Sequence, residues 1–450
     1  MKKQFRLPKL TYTQVIVMSF FCLIITGAFL LCLPISSRTH EWTPFITAMF
    51  TATSASCVTG LVVVDTYTHW SVFGQVVVLL LIQIGGLGVM TSMSMIALVL
   101  KRRISLGQRR LIMQSAGSLH ISGIAKLLHR IIKGTAIVEC VGTVILAFVF
   151  IPRMGFMPGL WNAVFHSVSA FCNAGFDLMG KYGQFSSLTT PGLQFNPVVI
   201  LTVVALVLIG GIGFIVWTDI ARHRFNFKKY EVHSKIALVT TAVLLVGGTI
   251  LFFIFEHDHA LKGFTFWQKV LSSVFQSVTP RTAGFNSIDE AALSESGKLL
   301  STVLMFIGGS PGSTAGGIKT TTFAVLLLSA LAAARGHGGV TVFKRKLDDN
   351  TIVQASSIFT VYAACLFTAV LIICAIEPYS FTQVLFESVS AIGTVGLTLG
   401  ITPTLCSASK LILIMLMFTG RVGGLSLMLV LAERRKNIPI SRPTTHILIG

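Results

Sequence analysis

Four short stretches of this chain end a run of small or hydroxylated residues in glycine: Val58-Thr59-Gly60, Asn173-Ala174-Gly175, Thr282-Ala283-Gly284 and Thr394-Val395-Gly396. A phenylalanine (Phe50, Phe165, Phe275, Phe386) opens each unit. The unit recurs roughly every 110 residues, so the chain reads as a fourfold internal repeat. The chemistry such turns can do is ligation of a dehydrated monovalent cation. That ion needs oxygens in place of its lost water, and rings of backbone carbonyls supply them without a fixed negative charge in the membrane. Aligning carbonyls on one side of a strand asks for backbone angles that glycine adopts at little cost, while β-branched neighbours keep the strand stiff. A lone Thr-Val-Gly, as at 394–396, is weak evidence; four glycines in register are strong. Copy three is one residue shorter between Phe275 and Gly284 and carries Pro280-Arg281 inside the turn, so the ring is expected to depart from fourfold symmetry there.

A second set of glycines lies downstream in each copy: Gly85, Gly86 and Gly88; Gly210, Gly211 and Gly213; Gly308, Gly309 and Gly312; Gly420, Gly423 and Gly424. In the first two copies close helix packing by small residues is the ready explanation. Copy three differs. Its run Gly308, Gly309, Ser310, Pro311, Gly312, Ser313, Thr314, Ala315, Gly316, Gly317, Ile318, Lys319 combines five glycines with a proline and cannot be an uninterrupted helix. It is not a nucleotide P-loop, because Ile318 separates Gly317 from Lys319. Broken backbone at membrane depth should line water, here beneath the turns. Arg421 sits mid-span among Met417, Phe418 and Val422, where a charge costs about 2.5–3.5 kcal/mol on insertion scales. Two roles stay open for it: a salt bridge with Glu139 or Asp219, or a positive barrier below the turns, partnered with the loop.

These groups must be positioned by elements within a bilayer. The chain is 53% hydrophobic and only 11% charged, with a mean hydropathy of +0.81; a soluble protein carries about 25% charged residues. Each copy reads as a spanning helix, a short helix, the turn and a second spanning helix: 15–33, 44–53, 54–61 and 72–100; 131–151, 158–170, 171–176 and 197–220; 236–255, 264–278, 279–285 and 298–334; 352–376, 381–390, 391–397 and 411–431. The short helices cannot cross about 30 Å of hydrocarbon at about 1.5 Å per residue, so they enter and turn back. The alternative, helical extracellular loops, is disfavoured by their fourfold recurrence. The expected fold is an all-α polytopic membrane protein of four membrane–pore–membrane repeats. Eight spanning and four re-entrant helices would stand pseudo-fourfold around one pore. The segments are 1–10 (N-terminus), 11–110, 111–230, 231–346 and 347–437 (the four repeats) and 438–450 (tail).

The net charge of +19 is not a nucleic-acid footprint. Basic clusters at 2–9, 101–110, 126–133, 222–235, 344–346 and 434–436 fall on one side of the expected spans, and most acids fall on the other. This is the positive-inside bias, and it places both termini in the cytoplasm. No cleavable signal peptide is evident. No Cys/His pairing has zinc spacing, and no His, Asp or Glu constellation faces one cavity, so an enzyme is not expected. Asp65, Asp177 and Glu387 lie near the expected outer mouth, either concentrating cations or on ordinary solvated faces. His166 and Gln276 stand where copy four has Glu387, which argues against a shared catalytic carboxylate. A secondary transporter of another substrate, or a sodium-permeable or non-selective pore, is the alternative class; such transporters usually carry two symmetry-related broken helices, whereas only one severe break is visible here.

With its four repeats and one turn glycine in each, the chain resembles the Trk/Ktr/HKT superfamily of potassium transporters over nearly its whole length, and within it the KtrB-type membrane subunits of bacterial Ktr systems. The resemblance implies K+ held by carbonyls near Gly60, Gly175, Gly284 and Gly396, and an intramembrane loop in repeat three that obstructs the pore. In plant relatives a serine at the first filter position accompanies sodium preference, and Gly60 here favours potassium. It further implies a homodimer in the bacterial cell membrane, seated on a cytoplasmic ring of nucleotide-binding RCK subunits of the KtrA kind. Na+ dependence is left open, and no nucleotide site is expected in this chain. The basic stretches 101–110 and 335–346 are candidate docking surfaces, with anionic lipid as the other explanation.

Overall fold

The computed structural model describes residues 11–88, 124–224, 226–336 and 339–423. Its long helices are Tyr12–Cys32, Ile124–Met154, Val232–Glu256 and Asp349–Ile376, each opening one copy. All four are apolar and long enough to cross a membrane. The short helices follow: Phe45–Cys57, Phe156–Phe171, Phe266–Val278 and Phe381–Gly393. Their starts are set by local chemistry. Thr265 and Ser380 each form a capping box with the glutamine three residues on, Gln268 and Gln383. In copy one Pro44 is the cap residue itself, its carbonyl accepting from Thr47 and Ala48. The phenylalanine that opens each unit (Phe50, Phe165, Phe275, Phe386) is buried in every copy, so the short helices run through the core and not over it.

The second helices depart from expectation. Copy two's predicted span 197–220 is two helices, Pro197–Gly211 and Phe214–His223, bent by 95°. The hinge is Gly213, whose φ of 96° and ψ of 143° suit only glycine. The same backbone recurs at Gly88 (φ 85°, ψ 133°) and Gly423 (φ 89°, ψ 133°), which close the helices Val72–Leu87 and Ser407–Val422. In copy three Glu295–Phe306 stops at Ile307, and a new helix, Thr320–Ala334, starts after the glycine-rich run. Among the described residues four helices are continuous and long enough to span, and Pro197–Gly211 with Phe214–His223 forms one bent pair; Val72–Leu87 and Ser407–Val422 are described as far as Gly88 and Gly423, within the predicted spans 72–100 and 411–431. The predicted stretches 89–100 and 424–431, the N-terminus 1–10, the basic loop 101–110 and the tail 438–450 lie outside the described residues.

Candidate ion pathway

Each short helix ends at a left-handed residue directly before the turn. Val58 (φ 59°), Asn173 (φ 60°), Thr282 (φ 68°) and Thr394 (φ 52°) hold equivalent places, two residues ahead of Gly60, Gly175, Gly284 and Gly396, all four of which also have positive φ. β-Branched residues rarely adopt this conformation, and here hydrogen bonds impose it. Val58 N–H donates to Ala55 O (3.1 Å) and Thr59 N–H to Ser54 O (2.7 Å); copy two repeats the pair at Asn173→Ala170 and Ala174→Ser169, and copy four at Thr394→Ala391 and Val395→Ser390. These are Schellman closures with a non-glycine residue at the left-handed position. Copy three reaches the same end by another route. Its helix stops at Val278, Pro280 contributes no N–H, and Ala283 donates to Thr279 O at 2.9 Å. The missing residue is thus absorbed before the turn, and Thr282-Ala283-Gly284 keeps the shape of the others.

One hydroxyl per copy then fastens the turn, a role invisible in the sequence reading. Ser54 Oγ accepts from Gly60 N–H (3.0 Å) and Ser390 Oγ from Gly396 N–H (3.1 Å), while Ser169 and Thr279 donate to Phe176 O (2.7 Å) and Phe285 O (2.6 Å). Their signal was available: all four stand four residues after the buried phenylalanine. With turn N–H groups directed back to the short helix, the carbonyls are left for other partners.

The four turns close on one another. A Cβ on Gly60 would lie 2.5 Å from Ala174 O, and one on Gly175 would lie 2.8 Å from Ala283 O. Likewise a Cβ on Gly284 would strike Val395 O, and one on Gly396 would strike Thr59 O. Each copy's glycine therefore abuts the next copy's carbonyl, in the order one, two, three, four and back to one. No side chain fits at any of these four places, which is why the sequence has glycine in all of them.

Beneath the turns, Gly85, Gly210 and Gly420 press against the carbonyls of Ser56, Phe171 and Ile392 so closely that a Cβ would overlap them. Copy three instead supplies the loop between Phe306 and Thr320. Its two ends are pinned together by Gly308 N–H to Ile318 O (2.8 Å) and Thr320 N–H to Gly309 O (3.0 Å). On one flank Ser310 N–H donates to Gly211 O at 2.9 Å and Gly312 O accepts from Phe214 N–H at 2.8 Å. On the other, Gly316 lies against the Thr394 side chain and Gly317 against the Gly393 carbonyl. Pro311 and Ser313 are half-buried at its tip, and Lys319 Nζ staples the loop to itself through Ala315 O (2.6 Å) and Gly316 O (3.2 Å).

Arg421 meets this loop. Its guanidinium donates to Thr314 O, to Gly85 O (2.5 Å) and to Gly86 O (2.8 Å). It therefore ties copy four to the loop of copy three and to the end of the copy-one helix Val72–Leu87. The carboxylate partners considered for it are engaged elsewhere, Glu139 with Gln83 Nε2 (3.3 Å) and Asp219 with Glu231 N–H (2.9 Å). Carbonyls released by helix ends solvate the cation instead, and its positive charge is left without a counter-ion among the described residues.

The outer acids hold loops. Asp65 accepts from Tyr67, Thr68 and Phe185 N–H (3.0, 2.8 and 3.0 Å), and Asp177 from Met179 N–H (2.9 Å). Glu387 accepts from Thr398, Leu399 and Thr402. Asp65 and Glu387 are buried, so the solvated-face expectation is corrected for both. In the outer segment between the copy-three turn and its second helix, Glu290 has a single donor group, Gln276 Nε2 (2.9 and 3.0 Å). Burial pushes its carboxyl up to about 8, against the Gln276 hydrogen bond and helped by Asp289 and Glu256.

A helical protein with apolar spanning helices and four short helices converging on a closed ring of glycine turns belongs to the class of polytopic membrane proteins. The family model described as TrkH, cation transport protein, matches residues 6–438, and the chain belongs to that family. It is 41% identical to the potassium/sodium uptake protein NtpJ of Enterococcus hirae, over 100% of this chain and 99% of the relative. To the Ktr system potassium uptake protein B of Bacillus subtilis it is 38% identical, over 98% and 97%. The crystal structure of the potassium transporter TrkH from Vibrio parahaemolyticus shares the fold, with a TM-score of 0.74 at 18% identity, covering 96% of this chain and 86% of that one. The Trk/Ktr resemblance read from the turns is thereby established, and the protein is a multi-pass membrane protein of a cation-transporter family.

Proposed function

We propose that this chain takes up potassium across the bacterial cytoplasmic membrane, selecting the ion in the ring of turns and controlling its passage with the loop of copy three. The observation that carries the reading is the closed circuit in which each turn glycine meets the next copy's carbonyl. Backbone oxygens of Val58, Thr59 and Gly60 and their counterparts in the other three copies then ligate K+. The loop 308–317, with Lys319 and Arg421, forms the gate below, and the uncompensated Arg421 charge discourages a cation from resting there. Sodium enters as a second ion, because the Enterococcus hirae relative is named for both.

Both termini lie in the cytoplasm on this reading, and two copies pair in the membrane. Nucleotide control comes from a separate KtrA-like RCK ring, in keeping with relatives named as components of Ktr systems. Its docking surface includes the hairpin Thr341–Val342 and Arg345–Lys346, beside which Lys235 lies over the rings of Phe227 and Phe343 (5.9 and 5.6 Å). The deciding experiment is Rb+ and Na+ uptake in a strain lacking its own potassium uptake, comparing wild type with Gly60→Ser and Gly396→Ser. Discrimination should fall in both; unchanged discrimination in both, with protein present in the membrane, rejects the filter assignment.

A further inference from the structure

The four turns are alike in backbone and differ at one side chain. At the left-handed position copies one, three and four carry β-branched Val58, Thr282 and Thr394, whereas copy two carries Asn173. Asparagine enters the left-handed region more readily than most residues, so backbone preference alone would account for its presence. Its side chain does more. Asn173 Oδ1 accepts from the Thr314 hydroxyl in the loop (2.9 Å), and Asn173 Nδ2 donates to Thr282 Oγ1 in the next turn (3.3 Å). Thr314 Oγ1 also lies 3.2 Å from Phe171 O at the end of copy two's short helix. Asn173, Thr282 and Thr314 are all completely buried. One amide therefore joins the loop to two adjacent corners of the ring. On the opposite side Thr394 meets Gly316 by packing, and its hydroxyl has no hydrogen-bond partner among the described residues. Val58 has no polar side-chain atom to offer.

We propose that Asn173 is a positioning residue that couples the loop to the turns; this rests on the reading of the turns as filter and the loop as gate. With Thr314 seated, the amide is held at both ends and braces Thr282 against copy two. When the loop withdraws, Asn173 Oδ1 loses this donor, the amide is free to turn, and the brace between copies two and three slackens. Ion discrimination then depends on where the loop is. By thermodynamic reciprocity, an ion that fits the braced ring holds the loop in place more firmly than one that does not.

Three variants of the full chain, assayed in cells with the native regulatory subunit, test this by initial rates of Rb+ and Na+ uptake. Asn173→Gly keeps the left-handed backbone without strain and removes only the amide. Thr314→Val removes the hydroxyl at nearly the same shape, and Thr314→Ser returns it. Asn173→Gly and Thr314→Val should each lower the Rb+-to-Na+ ratio by roughly two- to tenfold, the range one net hydrogen bond sets. Thr314→Ser should restore the ratio, and the Asn173→Gly, Thr314→Val double variant should be no worse than the poorer single one. An Asn173→Gly protein that carries Rb+ and discriminates as wild type overturns the proposal, since the residue would then serve its backbone alone. Should Asn173→Gly fail to reach the membrane, the threonine pair decides: higher uptake in Thr314→Val at an unchanged ratio also overturns it, while leaving the gate reading intact. Loss of the filter reading itself would show separately, as unaltered discrimination in Gly60→Ser and Gly396→Ser.

Discussion

The ring of turns and the layer beneath it are built from the same four copies, yet they obey opposite rules. In the ring every copy repeats the same backbone: a left-handed residue, a linker and a glycine against its neighbour's carbonyl. Copy three even shortens its helix end to preserve that shape. In the layer below the match is only partial: copies one, two and four share a positive-φ glycine at Gly88, Gly213 and Gly423, and copy three does not follow them. Copy one ends a helix at Gly88, copy two bends by 95°, copy three opens into a loop, and copy four contributes Arg421. A ring closed by like contacts needs its units alike, whereas an obstruction needs only one copy to supply it and the others to receive it.

Deleting residues 310–317 should have the largest effect, because it removes the one element that has no counterpart in the other copies. A rise in Rb+ uptake on the order of a hundredfold is expected if the seated loop is the ~99:1 state. A deletion protein that reaches the membrane and shows unchanged or lower flux would place the obstruction elsewhere. Next come Gly175→Ala and Gly284→Ala, which should each reduce Rb+-over-Na+ discrimination by at least about tenfold, since the added methyl meets a carbonyl that the ring cannot move. Equal losses sharpen the comparison, and a silent copy breaks it.

Arg421→Gln should raise uptake at constant protein level, by about tenfold if the unit charge acts from roughly 12 Å at an effective dielectric of about 20. Unaltered flux would reduce the arginine to a structural tie between copies. The smallest effect is expected at the outer rim. Glu290 is held neutral, with its carboxyl raised from 4.5 to about 8. The unfolded chain binds fewer protons than the folded one across that interval, so this stabilising contribution is full below pH 4.5 and is lost as pH rises to about 8. Thermal melts in detergent should show Glu290→Gln gaining on wild type through that window and levelling off above it; a constant offset would mean that the carboxyl does not titrate there.

The ring was legible in the sequence because its parts are local. A buried phenylalanine, a helix end and a glycine keep fixed spacing whatever surrounds them, and the shortened copy three could be seen by counting. The break at Gly213 was not legible, because Ile212, Phe214, Ile215 and Val216 continue the apolar run and hydropathy carries no record of φ. Its clue was the recurrence of a third glycine at Gly88, Gly213 and Gly423. For Arg421 the sequence offers Glu139 and Asp219 as carboxylate partners, whereas its guanidinium donates to carbonyls, that of Thr314 in the loop among them. Only the fold shows that the end of Val72–Leu87 turns the Gly85 and Gly86 carbonyls towards the guanidinium. Asp65 and Glu387 look like surface acids in sequence, since the donors that bury them come from loops up to 120 residues away.

Closure of the ring also has a consequence in time. Synthesis proceeds from the N-terminal side, yet Gly396 must find Thr59 O and Arg421 must find Gly85, so the two contacts that complete the upper ring and its underside each span more than 330 residues. Long closures of this kind form late. A ribosome halted before copy four leaves three quarters of a ring that cannot shut, and the closing turn and the arginine tie beneath it come from the same copy. The membrane is thus never exposed to a complete ring before the copy that carries its arginine has been made.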